Sequence, residues 1–296
     1  MGIVKSYAIG NGDMYYIRHG SDNFTIVDCS LPSDRAGSIL SELKVQSSDK
    51  GIVRFISTHP DQDHLSGLTL LDDELSILNF YVVRNSATKD PETADFKRYR
   101  DLRDSSKAFH LYRGCKRRWM NDSDDVRQTA GLEILWPVVD DVDYKAALAA
   151  AALGTSPNNI SCILRYSIQE GPSFVWMGDL ETDFMERVQD RVDLPSTDVL
   201  FAPHHGRDSG KVPPKWLRDM EPGLIVIGEA PSQYINYYSG YNVITQNSCG
   251  DILFESGSGS AHIYVGDHSY STGSDFLEDE GLDHKQGLYY LGTLRC

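Results

Sequence analysis

Thr58-His59-Pro60-Asp61-Gln62-Asp63-His64 is the stretch on which the reading of this 296-residue chain turns. His59, Asp61, Asp63 and His64 place four metal-ligand side chains within six residues. They follow Gly51–Ser57 (GIVRFIS), a β-branched run of the kind that forms a buried strand. The cluster therefore falls where a strand gives way to a loop, a common place for chemistry carried on a rigid scaffold. In an extended segment residues i and i+2 project to one side, so His59 and Asp61 can grip one ion together. Asp63 and His64, beyond the turn, reach a second. A polar surface loop is the plain alternative, and four ligand-type residues directly after a buried strand weigh against it.

Two later strand ends repeat the theme. SFVW runs into Met177-Gly178-Asp179, and Asp198–Ala202 runs into Pro203-His204-His205-Gly206. Taken singly, Asp179 reads as a helix N-cap and the histidine pair as turn chemistry. Three strand ends that all carry imidazole or carboxylate groups are hard to ascribe to turns. Together they offer nitrogen and oxygen ligands for two metal ions, with Asp179 suited to bridge them.

Outward from these segments the pattern is mixed. Strands are expected at Ile3–Ile9, Met14–Arg18 and Phe24–Asp28, with Gly10-Asn11-Gly12-Asp13 as a turn. Helices are expected at Ser33–Leu43, Tyr144–Leu153, Thr182–Val192 and Pro214–Met220. LEILWP, SCILRYSI, LIVIGE and two or three runs within Asn242–Val265 complete the strands. Strand-rich halves around a charged middle predict a layered α/β domain with helices over a sheet core.

The wider pattern resembles a known family. THPDQDHLSG is similar to the HxHxDH motif of the metallo-β-lactamase superfamily, with Asp61 where the second histidine stands. The likeness is closer to the metallo-β-lactamase domain of ComEC, the bacterial competence DNA-uptake protein. Gly10–Asp13 resembles its GQGD turn, Thr25–Asp28 its strand ending in aspartate, and Asn158–Ser161 its Asn-x-x-Ser segment. Met177-Gly178-Asp179 and Pro203–Gly206 resemble its GD and PHHGS motifs, and Tyr241–Ile252 is similar to the end of that domain. The resemblance spans roughly residues 3–265 in order, as a single short motif could not. It implies an α/β fold of the metallo-β-lactamase type, a four-layer αββα sandwich, in one domain over residues 1–268. A charged insertion at about 85–130 and an acidic tail at 269–296 lie outside the pattern.

The resemblance also implies a metal-dependent hydrolase. One or two divalent ions, zinc or manganese with magnesium as a further candidate, would be held by His59, Asp61, Asp63, His64, Asp179 and one of the histidine pair. His205, next to the glycine, is the preferred ligand, leaving His204 to act with Asp63 on substrate and nucleophile. Asp61 makes the first site richer in oxygen, which favours manganese or magnesium more than an all-imidazole site would. Many family members have a further histidine before the GD aspartate. Here His110 is the only histidine in that interval, and Asn159 is the better positional match.

Composition limits the substrate. Of the chain, 40% is apolar and 24% charged, which suits a globular core. The formal net charge of −15 opposes long nucleic acids, whose affinity rests on counterion release to a basic surface. The expected substrate is a phosphodiester in a short or single-stranded nucleic acid or a nucleotide. Carboxylic esters, lactones and thioesters form the alternative class, and a non-catalytic regulatory module of the same fold is a third reading. Lys116-Arg117-Arg118-Trp119, with Arg98, Arg100 and Arg103, could contact phosphate and stack bases, or form a solvated helix face. Arg207 is a further phosphate candidate. No apolar run is long enough to span a bilayer, so no membrane partner is expected. The five scattered cysteines suggest reduced thiols in a cytoplasmic protein. Met1–Ser6 meets the loose myristoylation pattern, which is frequent by chance. The acidic tail could engage a protein partner.

Overall fold

The computed structural model describes residues 1–228, 237–273 and 275–296. The chain opens with a meander of β1 (Gly2–Ser6), β2 (Tyr15–Arg18) and β3 (Asn23–Val27), then the short β4 (Cys29–Ser30) and helix α1 (Ala36–Ser47). Strand β5 (Ile52–Ser57) delivers the histidine motif. After it come β6 (Leu65–Ser66), α2 (Leu68–Leu75), β7 (Phe80–Val83), α3 (Ala94–Arg103) and β8 (Ala108–Leu111). The second half contains β9 (Leu132–Trp136), α4 (Val142–Ala152), β10 (Ile163–Ser167), β11 (Ser173–Trp176) and α5 (Thr182–Val188). It continues through β12 (Val199–Phe201), α6 (Pro214–Met220), β13 (Leu224–Ile227), β14 (Val243–Thr245) and α7 (Gln246–Cys249). The chain closes with β15 (Ile252–Gly257), β16 (Ser260–Val265) and β17 (Tyr289–Arg295).

Two sheets face each other. The first has the order β17-β16-β15-β1-β2-β3-β5-β7-β8, and the second β14-β13-β12-β11-β10-β9. Tyr15 and Tyr16 show how the layers form, because neighbours on a strand point to opposite faces. Tyr15 lies between the sheets, its ring 5.9 Å from Trp176 and 5.0 Å from Phe201. Tyr16 points the other way, and its hydroxyl donates to Glu42 of α1 at 3.2 Å. Phe254 of β15 packs on Phe174 and Phe201 across the same gap. Beyond the second sheet, Trp136 meets Tyr144 of α4 and Phe184 of α5. The layers are therefore helix, sheet, sheet, helix. Each of these aromatics is buried, worth about 1.5–3 kcal/mol apiece by area.

Strand direction positions the site. β3, β5 and β7 are mutually parallel, as are β11 and β12. The residues after β3, β5, β11 and β12 consequently emerge together along the edge where the two sheets open.

Several segments differ from expectation. The 85–130 region contributes α3 and also β8, which pairs in parallel with β7 and extends the first sheet. Its remainder is turns. The segment from Ser269 ends in β17, hydrogen bonded to β16, so its last residues are sheet and not tail. A bulge and the buried Gly292, Thr293 and Leu294 seat that strand. Helix α2 and strand β7, eight and four residues long, are too short to leave a periodic signal in the sequence. Glu229, the last residue of the expected LIVIGE strand, and Ser274 lie outside the described residues. Among the described residues no helix is long and apolar enough to cross a membrane.

Candidate metal centre

The motif loop is shaped by its own side chains. His59 leaves β5 buried, and Asp61 then caps a single 3-10 turn, Gln62–His64, by accepting from the Gln62 N–H at 2.7 Å. The turn sends Asp63 toward solvent and returns His64 to the interior. After β11, Gly178 has φ +51°, and a Cβ there would lie 2.7 Å from Ser161 Oγ. That hydroxyl accepts the Asp179 N–H at 3.1 Å, so the Asn158–Ser161 segment locks the aspartate in place. After β12, His204 and His205 both occupy the left-handed region, with φ 52° and 56°, as does Asp28 after β3 with φ 55°. Such strain costs about 1–3 kcal/mol per residue and concentrates at functional sites.

These loops converge on the Asp179 carboxylate. His64 Nε2 lies 3.0 Å from Asp179 Oδ1. The Nε2 atoms of His59, His204 and His205 lie 3.8, 3.7 and 3.6 Å from Asp179 Oδ2. His205 Nε2 is also 3.5 Å from Asp63 Oδ2. Asp13, His64, Asp179 and His205 each offer an atom within 4.8 Å of the others. Yet His59 Nε2, His64 Nε2, His205 Nε2 and Asp179 Oδ1 make no well-aligned hydrogen bond, the 3.0 Å approach of His64 to Asp179 included, although all four residues are buried. One such unpaired atom costs about 1–3 kcal/mol, so four facing one another mark the seat of a ligand. Imidazole nitrogen and carboxylate oxygen both offer electron pairs, and a divalent cation is the ligand they suit.

Two carboxylates stand behind the ring. Asp28 Oδ2 lies 2.9 Å from His64 Nδ1, and Asp28 is itself fixed by the Thr58 N–H and hydroxyl at 2.8 and 2.6 Å. Asp13 Oδ1 lies 3.1 Å from His205 Nδ1. Each arrangement turns Nε2 inward and raises the basicity of the imidazole, as outer carboxylates do for metal-bound histidines. Asp13 sits close enough to count among ligand candidates, but its oxygen is engaged at the rear of the His205 ring.

Burial acts on every group here, and its balance against neighbouring charge decides each result. Desolvation, aided by the His64 charge, lowers the His59 imidazole to about 4. Desolvation lowers His64 too, but Asp179 and Asp28 outweigh it and hold His64 well above its usual value. Against the same desolvation, Asp13 and Asp179 push His205 up to about 10. At Asp28 desolvation wins and raises the carboxyl despite His64 and Thr58; at Asp179 it works upward and loses, because His64, His59 and His205 hold that carboxyl well below its normal range. His205 and His64 likewise hold Asp63 at about 2. A cation entering this cluster displaces protons from His64 and His205, which couples its affinity to pH.

Not every expected residue joins the group. Asp61 Oδ1 faces Lys89 Nζ at 3.1 Å and lies at the rim. Asn159 gives both polar atoms to Glu181, at 2.7 Å to the carboxylate and 3.1 Å from the N–H. His110 is on the edge strand β8. Arg98, Arg100 and Arg103 are paired with Asp72, Asp73, Glu92 and Asp104. Lys116–Trp119 lies at the opposite end of the first sheet: the Trp119 carbonyl accepts from Arg54 near the start of β5, and Arg127 pairs with Asp22 just before β3. The Trp119 ring is already faced by Arg118 and Arg127. Arg207 is different, since it lies half-buried beside His204 and makes no ion pair with any described residue. In the sequence Asp13 and Asp28 stand out only as parts of the resembling motifs and Thr58 only as the residue before His59, and nothing local marks the role of any of them.

The family model for the metallo-β-lactamase superfamily matches residues 8–212. Among solved structures, the metallo-β-lactamase SMB-1 in complex with mercaptoacetic acid is similar at 13% identity and a TM-score of 0.35, covering 72% of this chain and 82% of that one. SMB-1 bound to 2-mercaptoethanesulfonate gives 14% identity and a TM-score of 0.33, covering 72% and 83%. Likenesses this slight carry no argument about chemistry. No curated protein matches the chain significantly.

Proposed function

This chain belongs to the metallo-β-lactamase superfamily of metal-dependent hydrolases, and from that premise we propose that it hydrolyses phosphodiesters, as the ComEC-like pattern of its motifs implies. The observation that carries the substrate class is Arg207. It is the cation next to the histidine pair, and no described carboxylate neutralises it. A half-buried guanidinium without a partner favours an anionic group on the substrate, and its planar fork fits phosphate oxygens. The net charge of −15 favours a short or single-stranded nucleic acid or a nucleotide over a long duplex.

The residues divide the work. His59, His64, Asp63, Asp179 and His205 are the donors that would hold a divalent ion, zinc or manganese. When bound, such an ion supplies Lewis acidity and brings the pKa of water toward neutrality. Asp63, ionised throughout the neutral range and partly open to solvent, orients the attacking water. Arg207 binds and neutralises the phosphate. His204 Nδ1 lies 2.8 Å from Ser209 Oγ. With the hydroxyl donating to Nδ1, Nε2 carries the hydrogen and offers a hydrogen bond, without giving up its proton, to the departing oxygen. Burial lowers the His204 pKa, which keeps the ring neutral for that role.

The test is hydrolysis of a bis-aryl phosphodiester beside a panel of carboxylic esters, lactones and thioesters. Activity on the phosphodiester should vanish with EDTA, return with Mn²⁺ or Zn²⁺, and be lost in Asp179→Ala. Arg207→Ala should raise KM for the phosphodiester about tenfold or more, the scale of one charge-assisted contact. Preference for the acyl panel would replace phosphodiester with acyl chemistry. No turnover of either, with the metal bound, would make the chain a regulatory module.

A further inference from the structure

The turn Gly10-Asn11-Gly12-Asp13 is pressed against the motif loop more tightly than a hairpin connection requires. The Asp13 N–H donates to the Asp63 carbonyl at 3.3 Å. Gly12 has φ +147°, and a Cβ there would fall 2.4 Å from that same carbonyl and 2.7 Å from Ser30 Oγ. Only a residue without a side chain lets the two loops meet this closely. From this contact two side chains reach into the centre. Asn11 Nδ2 donates to Asp63 Oδ2 at 3.3 Å, and Asp13 Oδ1 meets His205 Nδ1 at 3.1 Å. Asp13 is buried, and the His205 ring it holds has its Nε2 unpartnered and directed at Asp63 and Asp179.

We propose that this turn is a positioning element for the metal centre: Asp13 fixes the tautomer and orientation of His205, and Asn11 steers Asp63. The inference rests on the reading of the centre as a cation site. Its physical basis is that His205 follows a strained backbone and would otherwise be free to rotate about its side-chain torsions. A hydrogen bond donated by Nδ1–H to the carboxylate selects the tautomer with its lone pair on Nε2 and keeps that atom inward. Asp28 does the same for His64 from the other side, so both inner histidines are backed by carboxylates from the first sheet.

Metal affinity is the readout, measured with Zn²⁺ and Co²⁺ against a chromophoric chelator, with the visible Co²⁺ spectrum recorded for each protein. Asp13→Ala should weaken binding by about 10–100-fold, the usual effect of losing an outer partner. Asp13→Asn retains a carbonyl that accepts from Nδ1 and should recover most of that loss with an unaltered Co²⁺ spectrum. Asn11→Ala should lower affinity less, since its bond is exposed. Wild-type affinity in Asp13→Ala would overturn the proposal. So would an Asp13→Asn variant that loses as much as alanine and changes the Co²⁺ spectrum, because Asp13 would then be a direct ligand. A wild-type chain that binds neither ion would instead overturn the cation-site reading itself. Should Asp13→Ala not fold, the asparagine variant still separates the two roles.

Discussion

At the scale of single residues, the chain places ionisable groups where burial and charge compete, and the outcome differs from site to site. At His64 and His205 neighbouring charge prevails. At His19 burial prevails: desolvation, aided by the Arg54 charge, holds this imidazole well below its ordinary value. Its Nε2 lies 2.8 Å from Thr25 Oγ1, and its ring packs edge-on against Tyr166. The folded protein keeps His19 neutral, whereas the unfolded chain protonates it near 6.5. The unfolded state therefore binds the extra proton, and stability falls as pH drops below that value. A His19→Asn variant should show a shallower loss between pH 6.5 and 5, by up to about 1.4 kcal/mol per pH unit. Urea unfolding at several pH values measures it, and identical slopes for both proteins would contradict the assignment. The imidazole and carboxylate side chains at 59, 63, 64, 179 and 205 are legible as candidates because they occupy strand ends marked by local apolar runs. Their partners Asp13 and Asp28 are not, since nothing local distinguishes a turn aspartate from one that backs a histidine.

At the scale of elements, α3 shows how a segment that looked like an insertion is tied to the site. Thr93 Oγ1 accepts from the Phe96 N–H at 3.1 Å as a helix N-cap, and its hydroxyl donates to Gln62 Oε1 at 2.9 Å within the motif turn. Asp95 adds bonds to the N–H groups of Gly67 and Thr69 at 2.9 Å each. Thr93→Ala removes both the cap and the tether. It should cost about 0.5–2 kcal/mol of stability, read as a fall in Tm. Thr93→Ser, which keeps the hydroxyl, should restore most of it. The charge density of 85–130 reads as an insertion, but the arginines of α3 are spent on ion pairs with α2 and with neighbouring carboxylates. Charge counts carry no information about which charges meet.

At the scale of the whole molecule, β17 completes the first sheet from beyond residue 266. Its ladder with β16 runs from Ser260↔Arg295 to Val265↔Tyr289. Removing residues 289–296 would expose the β16 edge and the surface under Leu294. We expect a loss of at least about 3 kcal/mol and concentration-dependent association, because an unpaired edge recruits other strands. Sedimentation and thermal melting of the truncated chain would reveal both, and a monomer of unchanged Tm would refute the expectation. By itself the sequence determined the alternation of strands and loops and the donor atoms at the ends of three strands, because those depend on neighbours a few residues away. Tertiary structure alone decided which carboxylate backs which histidine, that Asp61 faces Lys89, and that Lys116–Trp119 lies at the far end of the sheet. The Asp13–His205 contact joins residues 192 positions apart, and no local pattern encodes a distance that only the stacking of two sheets creates.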